Sequence, residues 1–209
     1  MNTKEELLEH LKRNVGVVQD PLIERAFREV DRKDFVPADY ESEAYEDYPL
    51  PIAAGQTISQ PTTVAFMLEK LAVKEGDKVL DVGSGSGWTT ALLSEMVGEN
   101  GEVFGVEREL LLVEYGRENL AKYRKENAEI FQAEDTLGLP EHAPFDKILV
   151  SAAAEEIPDE LVKQLSAGGT LVIPVQESIL VLHKDLEGRI GTKEFPGFSF
   201  VPLVSNDND

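Results

Sequence analysis

Lys78-Val-Leu-Asp-Val-Gly-Ser-Gly-Ser-Gly-Trp88 is the stretch that decides the fold. A short apolar run, Val79 to Val82, leads into a loop with glycine at 83, 85 and 87. Thr89, Thr90, Ala91, Leu92 and Leu93 then continue with helical character. Strand, glycine loop and helix in that order make the nucleotide-binding edge of an α/β sheet. The loop selects a class of cofactor, and the cofactor limits the chemistry.

Downstream the pattern repeats. Apolar runs predict strands over 78–82, 102–107, 128–133, 146–151, 169–174 and 179–184. Helices are expected over 88–97, 109–125 and 158–165, with Pro158 starting the last and Gly168-Gly169 ending it. A final short strand is expected from Phe198 to Val204, after the turn at Pro196-Gly197. The alternation predicts an α/β fold, a Rossmann-like, doubly wound, mostly parallel sheet with helices on both faces.

Upstream, Leu7, Leu8 and Leu11 give residues 3–14 a helical face, with Thr3 as N-cap and Glu6 three residues on. Asp20-Pro21 opens a second helix carrying Ile23, Ala26, Phe27 and Val30. Residues 34–56 are irregular, and a third helix runs from Pro61 to about Leu71. We expect one domain over 1–204, with 1–60 an N-terminal helical addition, 61–204 the core, and 205–209 a disordered tail.

The 209 residues suffice for one such domain. A composition of 42% hydrophobic and 29% charged residues is that of a soluble globular protein. The longest apolar run, Val64 to Leu68, is far short of the roughly 20 residues of a membrane span. Residues 1–10 show no apolar signal region. The absence of cysteine excludes disulfides, thiolate metal sites and a cysteine nucleophile, and fits a reducing cytoplasm. A net charge of −20 argues against a nucleic-acid-binding face.

Which cofactor the loop holds follows from three further positions. Its glycines fall so that Trp88 occupies the place where a dinucleotide-binding loop wants its last glycine for close helix packing. Glu107 ends the next strand about 24 residues beyond Gly83, close to the spacing of a ribose-binding acid. Glu134-Asp135 follows the strand after that, where an acid can accept from an adenine amine; Asp81 can accept from an amino group. Taken singly, Glu107 is a solvated strand end, Asp135 a helix cap and each glycine a turn. In sequence order they fit S-adenosylmethionine, with its amino-acid end at Asp81, Gly83, Ser84 and Gly85. No metal-ligand cluster or Ser-His-Asp arrangement is apparent, and His10, His142 and His183 read as surface or packing residues.

Ser59 stands just before the third helix, and on position alone it reads as an N-cap. Together, Gly55-Gln-Thr-Ile-Ser-Gln-Pro61 and Val79-Leu-Asp-Val-Gly-Ser-Gly-Ser-Gly87 resemble protein-L-isoaspartate O-methyltransferases of the S-adenosylmethionine-dependent methyltransferase fold. So do Arg32-Lys-Asp-Phe-Val-Pro37, Tyr48-Pro-Leu-Pro-Ile52, the stretch from Ala143 through Ala154, Gly168–Val175 and Phe200-Val-Pro-Leu203. Many family members carry an aromatic residue or histidine where this chain has Thr62, and Gly-Asp-Gly where it has Glu134-Asp135-Thr136.

The resemblance implies methyl transfer to the free carboxyl of isoaspartyl residues in damaged proteins, a repair function. It also implies Ser59 as the active-site hydroxyl and cofactor contacts at Gln56, Thr57, Ile58, Arg108, Glu134 and Asp135. The strand at Phe200–Leu203 would hold substrate backbone. We expect a cytoplasmic monomer acting on isoaspartyl proteins and peptides. Two alternatives stay open: a methyltransferase of this fold acting on a peptide aspartate, and a non-catalytic cofactor-binding module.

Overall fold

Residues 1–203 are described by a computed structural model. Strands β1 (Leu50–Pro51) and β2 (Thr57–Ile58) form a small antiparallel ribbon. The central sheet contains β3 (Lys78–Val82), β4 (Glu102–Glu107), β5 (Ala128–Gln132), β6 (Phe145–Val150), β7 (Leu165–Val175), β8 (Ser178–Lys184) and β9 (Ile190–Pro196). Its spatial order is β5-β4-β3-β6-β7-β8-β9. The strands from β5 through β7 are parallel, and β8 and β9 are added antiparallel. The chain leaves β3 toward β4 on one side and returns through β6 on the other. That reversal opens a crevice at the carboxyl ends of the strands.

Successive strand residues face opposite sides, and both sides are apolar, as a doubly covered parallel sheet requires. Val79, Val103, Leu149 and Val172 join one core cluster, and Leu80, Phe104, Ile148 and Leu171 join the other. The first cluster also takes side chains from α1 (Lys4–Glu9), α2 (Pro21–Glu29), α3 (Pro61–Leu71), α4 (Trp88–Val97) and α5 (Leu110–Ala121). The second is covered more thinly, by Leu161 of α6 (Asp159–Gln164) and by Leu139. Leu7, Leu11, Ile23 and Phe27 lie in the same cluster as Val79, so the first sixty residues share the core of the sheet.

The start signals read from the sequence operate as expected. The Thr3 hydroxyl accepts from Glu6 N–H at 3.1 Å, and Asp20 accepts from Leu22 N–H at 2.8 Å with Pro21 behind it. The first helix gives way at His10 to a π-helical turn that ends at Gly16.

Several boundaries differ from expectation. α5 stops at Ala121 and α6 at Gln164. Gly168-Gly169 lies inside β7 rather than at a helix end. The stretch around Pro202 is not a strand but a single parallel bridge to Ala153; Val204 and the expected tail fall outside the described residues. Strand β9, which pairs with β8 along its full length, has no counterpart in the sequence reading. Among the described residues no helix is long and apolar enough to cross a membrane.

Candidate functional site

A cleft of about 1110 Å³ opens at the carboxyl ends of the central strands. Ser59 lines it, as do Gln56, Thr57, Ile58, Gly83, Ser84, Gly85, Glu107, Arg108, Glu134 and Asp135. Four separate segments thus meet at the reversal of strand order. Asp81 is the exception: it lies fully buried beneath the loop and is not on the cleft wall.

The glycine loop is folded tightly against the strand beside it. Gly83 and Ser84 N–H both donate to Val106 C=O, at 2.9 and 3.1 Å. Gly87 sits at φ +85°, where a side chain is strained. A Cβ there would come within 2.9 Å of the Gly116 carbonyl oxygen on α5. Trp88 then starts α4 with its ring buried.

Glu107 is not a solvated strand end. It is only 8% exposed. Gly85 N–H donates to its Oε2 at 2.9 Å and Glu109 N–H to its Oε1 at 3.0 Å. Two backbone donors hold the carboxylate still, and each oxygen keeps acceptor capacity for a diol.

Asp81 receives hydroxyl hydrogen bonds from Thr89 and Thr90 on one oxygen, both at 2.7 Å, while Oδ1 is buried without a partner. Burial lifts its pKa from 3.8 to about 6; the two threonine hydroxyls oppose the rise and the charge of Glu107 adds to it. An anion here lies directly under the loop.

The cap reading of Ser59 is corrected by the helix start. Gln60 is the N-cap of α3 and caps with no side-chain bond, while Pro61 takes the first helical position. The orphan N–H of Thr62 is taken by Asp47 Oδ1 at 2.9 Å, and the Thr62 hydroxyl donates to Asp47 Oδ2 at 2.6 Å. Asp47 therefore caps the helix from a distant loop. Ser59 is left half-buried on the cleft wall with its backbone carbonyl held by Arg32 at 3.1 Å.

The cleft also draws in residues that pattern reasoning did not assign to the cofactor. Ala152–Ala154 extend β6 along its rim. There Ala153 N–H donates to Val201 C=O at 2.8 Å, and Leu203 N–H to Ala153 C=O at 2.7 Å. Trp88, Thr136 and the acidic group Glu155, Glu156, Asp159 and Glu160 also line it. Small residues after a buried strand were the available signal for Ala152–Ala154; the acidic rim has none beyond charge. His142 packs on Phe104 and Phe131, His183 is exposed, and His10 Nε2 lies 3.4 Å from Asp47 Oδ2.

The residues present fit S-adenosylmethionine. Ser84 lines the cleft and its hydroxyl is buried without a partner, Glu107 offers a fixed acceptor pair, and Asp81 lies as a buried carboxylate beneath the loop. Such unpaired buried groups are uncommon unless a ligand or water completes them.

Comparisons with known proteins agree with this geometry. Residues 2–208 match the family profile described as protein-L-isoaspartate(D-aspartate) O-methyltransferase. A protein-L-isoaspartate O-methyltransferase of Ignicoccus hospitalis is 42% identical over 98% of each chain. One from Pyrococcus horikoshii is 42% identical over 98% of this chain and 97% of its own. A solved protein-L-isoaspartate O-methyltransferase superposes with a TM-score of 0.86 at 28% identity, covering 98% of this chain and 67% of its own. A proposed enzyme of that name from Plasmodium falciparum, in complex with S-adenosyl-L-homocysteine, gives a TM-score of 0.86 at 30% identity over 99% of this chain and 100% of its own.

Proposed function

The chain belongs to the protein-L-isoaspartate(D-aspartate) O-methyltransferase family, and on that premise we propose how its residues divide the work. The enzyme transfers a methyl group from S-adenosylmethionine to the free carboxyl of isoaspartyl residues in damaged proteins. When bound, S-adenosylmethionine supplies an electrophilic methyl on a sulfonium. Glu107 accepts from the two ribose hydroxyls. Ser84 and the loop from Gly83 to Gly85 hold the amino-acid end, with Asp81 adding charge from below. Asp135, with Glu134 and Arg108, would frame the adenine side, and Gln56–Ile58 would hold the ligand from the wall beside Ser59.

A substrate carboxyl with a pKa near ~4 is already ionised at neutral pH, so no general base is required. The chain's task is orientation and exclusion of water. Ser59 donates a hydrogen bond to one carboxylate oxygen and leaves the other free to attack. Substrate backbone lies along Val201–Leu203. The reading is supported most by one observation: Ser59 and Glu107, whose carboxylate two backbone donors hold fixed, line the same cleft.

Replacing Ser59 by Ala tests the assignment. We expect S-adenosylhomocysteine affinity to stay within about twofold and kcat to fall about 10- to 100-fold, the range for lost orientation; unchanged kcat rejects the role. The cationic cofactor also offsets charge in an acidic site, so binding is ordered, cofactor first. Equal peptide affinity with and without S-adenosylhomocysteine contradicts that order.

The reading extends to a single-domain, cytoplasmic monomer without nucleic-acid or membrane partners. A cysteine-free, −20 sequence and one core shared by both halves support it. Light scattering that returns about 23.1 kDa agrees, and twice that mass does not.

A further inference from the structure

Arg32 is 2% exposed, one of the largest fully buried side chains in the protein. Among the described residues no carboxylate lies within ion-pair distance of it. Instead its guanidinium donates to four backbone carbonyls: Ala44 at 2.8 Å, Glu46 at 3.2 Å, Tyr48 at 3.1 Å and Ser59 at 3.1 Å. Its planar group also lies 5.2 Å from the ring centroid of Trp88, the first residue of α4. We infer that Arg32 is the positioning residue that fixes the acceptor segment at Ser59 against the cofactor loop at Trp88.

Burying an arginine without a counter-ion is unfavourable by several kcal/mol before its hydrogen bonds are counted. Burial holds its pKa down to about 10, which still leaves it charged at neutral pH. A rigid fork of donors fixes the directions of the carbonyls it binds, which an apolar filler of equal volume would not do. What it binds is specific. One carbonyl belongs to Ser59, three belong to the strap Ala44–Tyr48, and the ring it faces belongs to Trp88, a residue of the cofactor cleft whose side chain packs on Phe27.

The strap is tied a second time on the far side of Ser59. Asp47 caps α3 through Thr62, and Gln60 Nε2 donates to Asp47 C=O at 3.0 Å. The backbone of Ser59 is thus held from both sides while its hydroxyl keeps its rotation. One guanidinium touches both walls across which methyl transfer takes place. A shift of about 1 Å between such walls lowers turnover about 100-fold.

The inference rests on the orienting role of Ser59, and a double-mutant cycle separates the two. Arg32→Lys keeps the charge but loses the fork and the planar stack. Its S-adenosylhomocysteine affinity is read from the fluorescence of Trp88, the single tryptophan. We expect that affinity within about threefold of wild type and kcat down about 10- to 100-fold. In the Ser59→Ala background the same change should lower kcat by less than about threefold, because the group being positioned is gone. Equal factors in both backgrounds, or unchanged kcat in Arg32→Lys, overturn the inference and leave the Ser59 role standing. Unchanged kcat in Ser59→Ala overturns both.

If Arg32→Lys does not fold, Thr62→Val decides. It removes one strap hydrogen bond from a half-buried position. Loss of kcat that vanishes in the Ser59→Ala background supports the strap, and loss that persists there overturns it.

Discussion

Asp81 carries the sharpest consequence at the scale of single residues. Its folded-state pKa of about 6 lies above the 3.8 of a free aspartate. Between those values the folded chain holds a proton that the unfolded chain has released. Stability therefore falls as pH rises through that window and stays lower above it. Asp81→Asn should raise stability at pH 7 by on the order of 1–3 kcal/mol and flatten the profile between pH 4 and pH 6, as read by urea unfolding. An unaltered profile contradicts the assignment. The same substitution should weaken binding of the cationic cofactor, because it removes a negative charge beneath the loop.

Glu107→Gln sets an amide NH2 against one of the two backbone donors, so it should cost on the order of 1–3 kcal/mol of stability and weaken S-adenosylhomocysteine binding about 10- to 100-fold. Titration followed through Trp88 measures it, and an unchanged Kd removes Glu107 from the ribose site. That Glu107 and Asp135 reach the same cleft was legible because strand ends place residue types in a fixed order. The role of Arg32 was not. Arg32-Lys-Asp-Phe-Val-Pro37 carries only a family resemblance, and tertiary structure alone brings four carbonyls to its arginine.

At the scale of elements, the glycine loop and α5 approach more closely than side chains allow. Gly87 and Gly16 share a φ of +85°, yet a Cβ at Gly16 meets nothing within 4 Å, whereas one at Gly87 runs into Gly116. Gly16→Ala should carry only backbone strain, about 1 kcal/mol. Gly87→Ala should lose a further ~1–3 kcal/mol from the clash, several degrees more in Tm. Equal Tm losses would mean that the contact with α5 is not tight.

β3, β4, β6 and the 170–175 half of β7 were readable because burial on both faces leaves continuous apolar runs. β9 was missed for the converse reason. Ile190–Pro196 is exposed along almost its whole length and carries Lys193, Glu194 and Pro196, as edge strands do to avoid further pairing. The capping of α3 was misread because the acceptor is Asp47, distant in sequence, rather than the adjacent Ser59.

For the whole molecule, the governing quantity is charge. A −20 protein presents Glu134, Asp135, Glu155, Glu156, Asp159 and Glu160 around a cleft that must admit a carboxylate. Screening over a Debye length of about 10 Å at 0.1 M should ease that entry. KM for an isoaspartyl peptide with acidic neighbours should fall as salt rises from about 20 to 300 mM, and less so for a peptide with basic neighbours. Identical salt profiles for the two peptides would show that the rim does not meet the substrate.

The central claim is that this cleft methylates isoaspartyl carboxyls. Labelled methyl transfer from S-adenosylmethionine to an isoaspartyl peptide, run beside the aspartyl peptide of the same sequence, tests it most directly. Base-labile label on the isoaspartyl peptide alone is the predicted result. Equal labelling of both, or of neither while S-adenosylmethionine remains bound, would contradict it.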